Sequence, residues 1–163
     1  MQLNIKYALA IFLLCGFNIN LISSEINPQY SATITRDIFG VPHVHGATDA
    51  DAAFGLAYAQ ADDDITNILT TIDLARAGSG LKNGRDGAVT DYLIKALGIR
   101  ELVEERYEED LSQEVQAVLK GFVAGLNYWM SLNLDRNIKD YYPVNEIDLV
   151  SSFAIQGLFF SGI

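Results

Sequence analysis

The stretch Ser31-Ala-Thr-Ile-Thr-Arg-Asp-Ile-Phe-Gly-Val-Pro-His-Val-His45, followed after Gly46 and Ala47 by Thr48-Asp-Ala-Asp-Ala-Ala-Phe-Gly-Leu-Ala-Tyr-Ala-Gln-Ala61, decides how the rest of the chain is read. Ser31 to Arg36 alternates small or polar with apolar side chains and carries β-branched residues, the pattern of a strand. Asp37-Ile-Phe-Gly40 reads as a turn, and Val41 to His45 as a second short extended piece. Pro42 restricts that piece to an edge or irregular strand, because proline gives no N–H to a ladder. Thr48, with a carboxylate three residues on and an apolar run behind it, is a helix start. The spacing predicts a helix from Asp49 to about Ala77, ended by Gly78. Its first half is mostly Ala and Gly, which lets another backbone come close, so this helix is expected to lie buried against a neighbour.

Downstream, four glycines between Gly78 and Gly87 predict a loop. Asp86 or Thr90 then opens a helix through Tyr92, Leu93 and Leu97 to Gly98, and a charged helical stretch runs from Arg100 to Asp110. Ser112 opens the clearest amphipathic helix. Val115, Val118, Leu119, Phe122, Val123, Leu126 and Trp129 follow the spacing of one buried face. Leu132 to Asn145 reads as a polar loop. Asn145, with Asp148 at its third position, caps a last helix over Ile147 to Phe160. The reading is α+β: two short strands followed by mostly helices.

Upstream, Lys6 stands before the uninterrupted apolar run Tyr7-Ala-Leu-Ala-Ile-Phe-Leu-Leu-Cys-Gly-Phe17, and Ser23 and Ser24 precede Glu25. That order of charge, short apolar run and small residues is the layout of a secretory signal peptide over residues 1–24, leaving residues 25–163 as the mature chain. The run is shorter than the roughly 20 residues a spanning helix needs. An uncleaved anchor is the alternative. Cys15 is the one cysteine of the chain, so cleavage would leave neither a disulfide nor a thiol nucleophile. The 163 residues carry a formal net charge of −10 and are 50% hydrophobic, a composition that folds and excludes a nucleic-acid partner, which needs a basic face. No partner nucleic acid and, after signal cleavage, no membrane association are expected.

The residues that could carry chemistry each have a plainer reading. His43 and His45 share one side of a strand, as zinc ligands would, but no third ligand of matching character lies nearby. Asp62-Asp63-Asp64 lacks the alternating oxygens and turning glycine of a calcium loop; a solvated face, or a partner for one arginine, is the better reading. The glycines around Ser79 fit neither a nucleophile elbow nor a phosphate loop, since no strand precedes them and Lys82 is not followed by Ser or Thr. Phe159-Phe160 reads as core more readily than as pocket. No catalytic constellation, metal site or cofactor emerges from these residues alone.

Two stretches say more. Ile34-Thr-Arg-Asp-Ile-Phe-Gly-Val-Pro-His-Val44, and Ala47 through Phe54-Gly-Leu-Ala-Tyr-Ala-Gln-Ala-Asp62, resemble the opening of the penicillin amidase family, with Ala57 where that family often has glycine. The segment from Leu111-Ser-Gln-Glu-Val115 to Gly125-Leu-Asn-Tyr-Trp129 is similar to a family segment that commonly includes Gly-x-Asn. The resemblance implies part of an N-terminal-nucleophile hydrolase (αββα) fold, exported and made as a precursor that cleaves itself into α and β chains. The β chain would begin with a Ser whose own α-amine serves as base, since a weak hydroxyl nucleophile needs one beside it. It further implies hydrolysis of an N-acyl amide, as in penicillins or acyl-homoserine lactones. This chain would be the α-chain portion, truncated before the junction, with the β chain as its partner and no catalytic residue of its own. Neither Ser23 nor Ser161 is then the nucleophile. Calcium would belong to the complete enzyme, Phe159 and Phe160 to the acyl-binding pocket, and Asp37, Gly40, Pro42 and His43 to the shaping of structure. A non-catalytic exported helical binding module is the alternative. Alone, the chain is expected to be poorly soluble, its small-residue stripe and Phe159-Phe160 end lacking a partner.

Overall fold

The computed structural model describes residues 29–134 and 138–161. The signal-peptide reading and Cys15 lie outside them. Strands β1 (Ala32–Arg36) and β2 (Pro42–Gly46) form an antiparallel hairpin, followed by α1 (Asp49–Ala75), α2 (Gly80–Leu97), α3 (Ile99–Asp110), α4 (Gln113–Ser131) and α5 (Glu146–Phe160). In the hairpin Ile34 faces Val44 and Thr35 faces His43 across the strands, and Pro42 pairs only with Arg36 at the ladder's end. Ala32, Ile34 and Val44 are half-buried while Thr33, Thr35, His43 and His45 face solvent, as period-2 alternation requires.

The capping box at the start of α1 forms as expected. The Asp51 N–H donates to the Thr48 hydroxyl oxygen at 3.1 Å and the Thr48 N–H to Asp51 Oδ2 at 3.1 Å. Asp51 Oδ1 also accepts the Ser31 N–H at 2.8 Å, which ties the start of the hairpin to the start of the helix. These bonds, the Ser31 N–H foremost, hold the Asp51 carboxyl below its ordinary value.

The small-residue half of α1 is buried on two sides. A side chain at Gly55 would strike the Ala32 and Val44 side chains at 2.6 and 2.7 Å, so the hairpin rests on this point of the helix. On the other side α4 comes within backbone contact: a Cβ at Gly121 would stand 2.2 Å from the Ala50 carbonyl oxygen, and one at Gly125 2.0 Å from that of Phe54. The stripe therefore has its partner inside the chain, and this part of the poor-solubility expectation is corrected.

The same contact corrects the expected face of α4. Val123, Leu126 and Trp129 are buried as the periodicity predicts, but Val115 is exposed, and Gly121, Gly125 and Met130 are buried instead. A hydrophobicity count gives glycine no weight, whereas close helix packing gives it the most. Beyond the contact α1 breaks at Asp64, whose backbone leaves the helix (φ −154°, ψ 70°) and whose carboxylate accepts the Asn67 N–H at 3.2 Å. The redirected second half buries Leu69 and Ile72 in a core with Leu126, Trp129, Met130, Ile138, Tyr141 and Val144.

The expected loop from Gly78 to Gly87 is helical from Gly80, with a break at Gly84 (φ 59°, ψ −132°). Asp91 supplies what the local sequence lacks: its two carboxylate oxygens accept the Ser79 and Gly80 N–H groups at 2.9 and 2.7 Å. Helix-terminal N–H groups need such acceptors, and this one comes from further along α2 itself, 12 and 11 residues on. Asn145 and Asp148 form the predicted capping box of α5.

The Gly-x-Asn segment is explained by the same packing. Gly125 permits the approach to α1, and two residues on Asn127 turns to the 138–144 connection, donating to the Val144 carbonyl and accepting the Val144 N–H, each at 2.8 Å. Val144 is buried. Asn127→Ala strands both backbone groups and is expected to cost about 1–3 kcal/mol, read as a fall in urea midpoint. Asn127→Asp, which keeps the acceptor and loses the donor, should fall between. An unchanged midpoint in both variants would show that Asn127 does not hold the connection.

Candidate functional site

The turn residues singled out in the sequence converge at the tip of the hairpin. Asp37 Oδ1 accepts the Phe39 and Val41 N–H groups at 2.8 and 3.0 Å, and the Gly40 N–H donates to the Asp37 carbonyl at 3.0 Å. Gly40 closes the turn at φ 84°, a left-handed value that glycine adopts freely. His43 Nε2 lies 3.4 Å from Asp37 Oδ2. Desolvation pushes the Asp37 carboxyl up, but the N–H bonds and His43 outweigh it and hold the group below its ordinary value. A carboxylate so engaged fixes a turn and is poorly placed to take a proton from a substrate.

Arg36 fastens the hairpin to α1, donating to the Gly40 carbonyl at 2.9 Å and pairing with Asp63 at 2.7 Å and Asp62 at 3.3 Å. Asp62 also accepts the indole N–H of Trp129 at 3.3 Å. The triple-aspartate run thus splits into two partners for one arginine and, at Asp64, the cap of the second half of α1. Among the described residues no group of three or more His, Cys, Asp or Glu side chains converges as metal ligands would.

The most heavily engaged carboxylate is Asp148, which the sequence marked only as a capping residue. It is fully buried. Arg76 grips it in fork fashion, Nε to Oδ1 at 3.0 Å and an η nitrogen to Oδ2 at 2.6 Å, while Arg100 donates to Oδ1 at 2.7 Å and the Asn145 N–H to Oδ2 at 2.9 Å. Arg76 further donates to the carbonyls of Tyr141 and Pro143 at 3.0 and 2.9 Å. Burial works to raise the Asp148 carboxyl; Arg76, the Asn145 N–H and Arg100 together overcome it and leave the group lowered. With its lone pairs taken by four donors, Asp148 locks the end of α1, the start of α3 and the start of α5 together. No sequence pattern pairs residues 48 and 72 positions apart, so only packing reveals it.

Two apolar grooves flank this hub. One of about 120 Å³ lies between α1, α4 and α5, lined by Ile68, Phe122, Leu149 and Phe153 among others. The second, of about 230 Å³, lies between α3 and α5, beside Leu102, Tyr107 and Val150. Both are smaller than the roughly 300–1,000 Å³ of ordinary ligand pockets, so neither forms a substrate site alone. Phe159 and Phe160 line neither groove and are exposed, at 61% and 89%. The His43 ring meets Asp37 rather than a hydroxyl, so no nucleophile and base are brought together there.

The fold and this arrangement can be set beside known proteins. A thermostable penicillin G acylase from Alcaligenes faecalis superposes with a TM-score of 0.65 over 76% of this chain and 70% of that one, at 17% identity. The chain therefore has the α+β architecture of a part of the N-terminal-nucleophile hydrolase fold. The family model for penicillin amidase matches residues 31–157, from the hairpin through most of α5. The chain belongs to the penicillin amidase family. Among curated relatives, penicillin acylase 2 proenzyme from Pseudomonas sp. (strain SE83) is 28% identical over 98 residues, 60% of this chain and 12% of that protein. Aculeacin-A acylase from Actinoplanes utahensis is 26% identical over 144 residues, 77% of this chain and 18% of that protein. An acyl-homoserine lactone acylase from Pseudomonas savastanoi pv. phaseolicola is 28% identical over 109 residues, 62% and 14%. The matches thus span less than a fifth of these relatives. Among the described residues no helix is long and apolar enough to cross a membrane.

Proposed function

We propose that this chain is the α-chain portion of an exported acylase precursor, whose β chain opens with the Ser nucleophile and hydrolyses an N-acyl amide. The observation that carries the reading is the family match over residues 31–157, which includes the hairpin, the small-residue helix and the Gly-x-Asn packing. The exposed apolar side chains support it further. Ile38 and Phe39 at the hairpin tip, Leu81, Phe153 and Phe160 are each at least 70% exposed, and apolar surface of that extent on separate elements suits a chain covered by a larger assembly. In that assembly Phe159 and Phe160, at the end of α5, contribute to the acyl-binding pocket, and the N-terminal segment directs export. Calcium would belong to the complete enzyme, held mainly by β-chain carboxylates. The substrate class is an N-acyl amide such as a penicillin or an acyl-homoserine lactone. The chain alone is inactive under this reading, because it lacks the nucleophile.

The test begins with the reading frame 3′ of the Ile163 codon. Expressed with the chain, it should yield a precursor that splits in two and releases the amine from a chromogenic phenylacetyl amide or a long-chain acyl-homoserine lactone. Replacing the first residue of the new chain with Ala should abolish both processing and hydrolysis. A stop codon immediately after Ile163, together with a folded monomer inert toward both substrates, would overturn the reading in favour of a non-catalytic binding module.

A further inference from the structure

Asn83 is the one asparagine of the chain followed by glycine, and the fold interrupts a helix at that bond. Asn83 and Gly84 are exposed. The Asn83 N–H still donates to the Ser79 carbonyl at 2.9 Å, but Gly84 leaves the helix at φ 59° and ψ −132°. Nothing lies within 4 Å of the position a Cβ on Gly84 would take. An intact helix protects asparagine because its fixed backbone keeps the next amide nitrogen away from the side-chain carbonyl. Asn83 itself keeps helical backbone angles, so the restraint is loosened from its C-terminal side: no regular helix continues through Gly84. Glycine offers neither a side chain to block the approach nor a conformational barrier to it.

We propose that Asn83 is a site of spontaneous deamidation in the folded protein. The Gly84 amide nitrogen, losing its proton to solvent base, attacks Asn83 Cγ; the bond from Cγ to the side-chain nitrogen breaks, and that nitrogen leaves as ammonia. The five-membered imide so formed takes up one water at either carbonyl and opens to aspartate or to isoaspartate. Asparagine and water become aspartate and ammonia, with no oxidant or reductant. Arg85 follows the bond in sequence, and its charge favours both the deprotonated amide and the carboxylate that replaces it, whereas the Lys82 ammonium is paired with Asp73 at 3.3 Å. The helix is already broken here, so the extra backbone methylene of isoaspartate disrupts least at this point.

The fold also sets apart the neighbouring Asp86-Gly87 bond, which could close the same ring with loss of water. Gly87 is buried, and a Cβ there would stand 2.3 Å from the Ser79 carbonyl oxygen, so its backbone is held by packing. Asn67, Asn127 and Asn145 are followed by bulky residues and have their side chains in hydrogen bonds.

The test is incubation of the purified 163-residue chain at mildly alkaline pH, then digestion with a protease that keeps residues 82–86 in one peptide. Mass spectrometry should find an amide-to-acid mass gain on that peptide, resolved by chromatography into two products of equal mass. Its rate should rise with pH and equal or exceed that of the same chain in denaturant. Asn83→Gln, which closes the unfavourable six-membered ring, should abolish the gain and leave the helix content unchanged. Protection of Asn83 by about tenfold or more relative to the denatured chain, or earlier deamidation at another asparagine, would overturn the proposal.

Discussion

Asp148→Ala is expected to lower stability by roughly 3–5 kcal/mol, the usual effect of removing one partner from a buried ion cluster. The substitution leaves the guanidinium groups of Arg76 and Arg100 facing each other across the space the carboxylate filled, and it removes the acceptor for the Asn145 N–H at the start of α5. Against a total of about 5–15 kcal/mol for a domain, that is enough to unfold much of the population. The readout is urea unfolding followed by the fluorescence of Trp129, the one tryptophan of the chain and a buried one. Replacing Asp148, Arg76 and Arg100 together by Leu, Met and Met should recover part of the loss, since the penalty comes largely from stranding charges. If the triple variant is no better than Asp148→Ala, the cap at Asn145 carries the effect instead.

The same carboxylate gives the stability a direction in pH. Its folded value lies below the ordinary 3.8, so the unfolded chain binds the proton first and folding is favoured while the group is ionised. The contribution is fully present above the ordinary carboxylate range and is lost as pH falls through the depressed folded value. Asp37 and Asp51, also lowered by N–H bonds, act in the same sense. Acid unfolding should therefore set in below about pH 4, and Asp148→Asn should flatten that limb. A variant with the full acid dependence of the parent would assign it to other groups.

Gly125→Ala is the second substitution with a large expected effect. In an unconstrained helix the change stabilises by roughly 1 kcal/mol, because glycine is the poorer helix former. Here the new Cβ would stand 2.0 Å from the Phe54 carbonyl oxygen, backbone that cannot rotate away, so α1 and α4 must separate. Overpacking of this kind typically costs about 1–3 kcal/mol, and separating the helices also loosens the core around Leu126. Gly121→Ala, 2.2 Å from the Ala50 oxygen, should act likewise. Gly157→Ala in α5, with nothing within 4 Å, should be neutral or stabilising by up to about 1 kcal/mol. Thermal unfolding of the three variants separates the outcomes. Equal melting temperatures for Gly125→Ala and Gly157→Ala would mean that the two helices are not held at backbone contact.

These expectations rest on unequal contributions from sequence and from tertiary structure. The capping boxes at Thr48 and Asn145, the hairpin with Pro42 at its end, the start of α4 at Ser112 and the need for a close neighbour along Ala50 to Ala61 were all legible in the chain. Each is a short-range pattern whose partner lies within a few residues, or a composition with one packing consequence. The family resemblance was legible for a related reason: its signature residues build the turn at Asp37 to Gly40 and the helix that the hairpin rests on. Three features were not legible. Helix α2 begins at Gly80 because Asp91 reaches back to two N–H groups. The buried face of α4 turns toward Gly121 and Gly125 because glycine allows backbone contact without being hydrophobic. Asp148 becomes a hub because Arg76 and Arg100 arrive from elements far along the chain. The sequence by itself determined what repeats locally, namely helices, strands and their caps. Only the tertiary structure decided which charges and which backbones meet, since those pairings depend on distances in space that no spacing along the chain encodes.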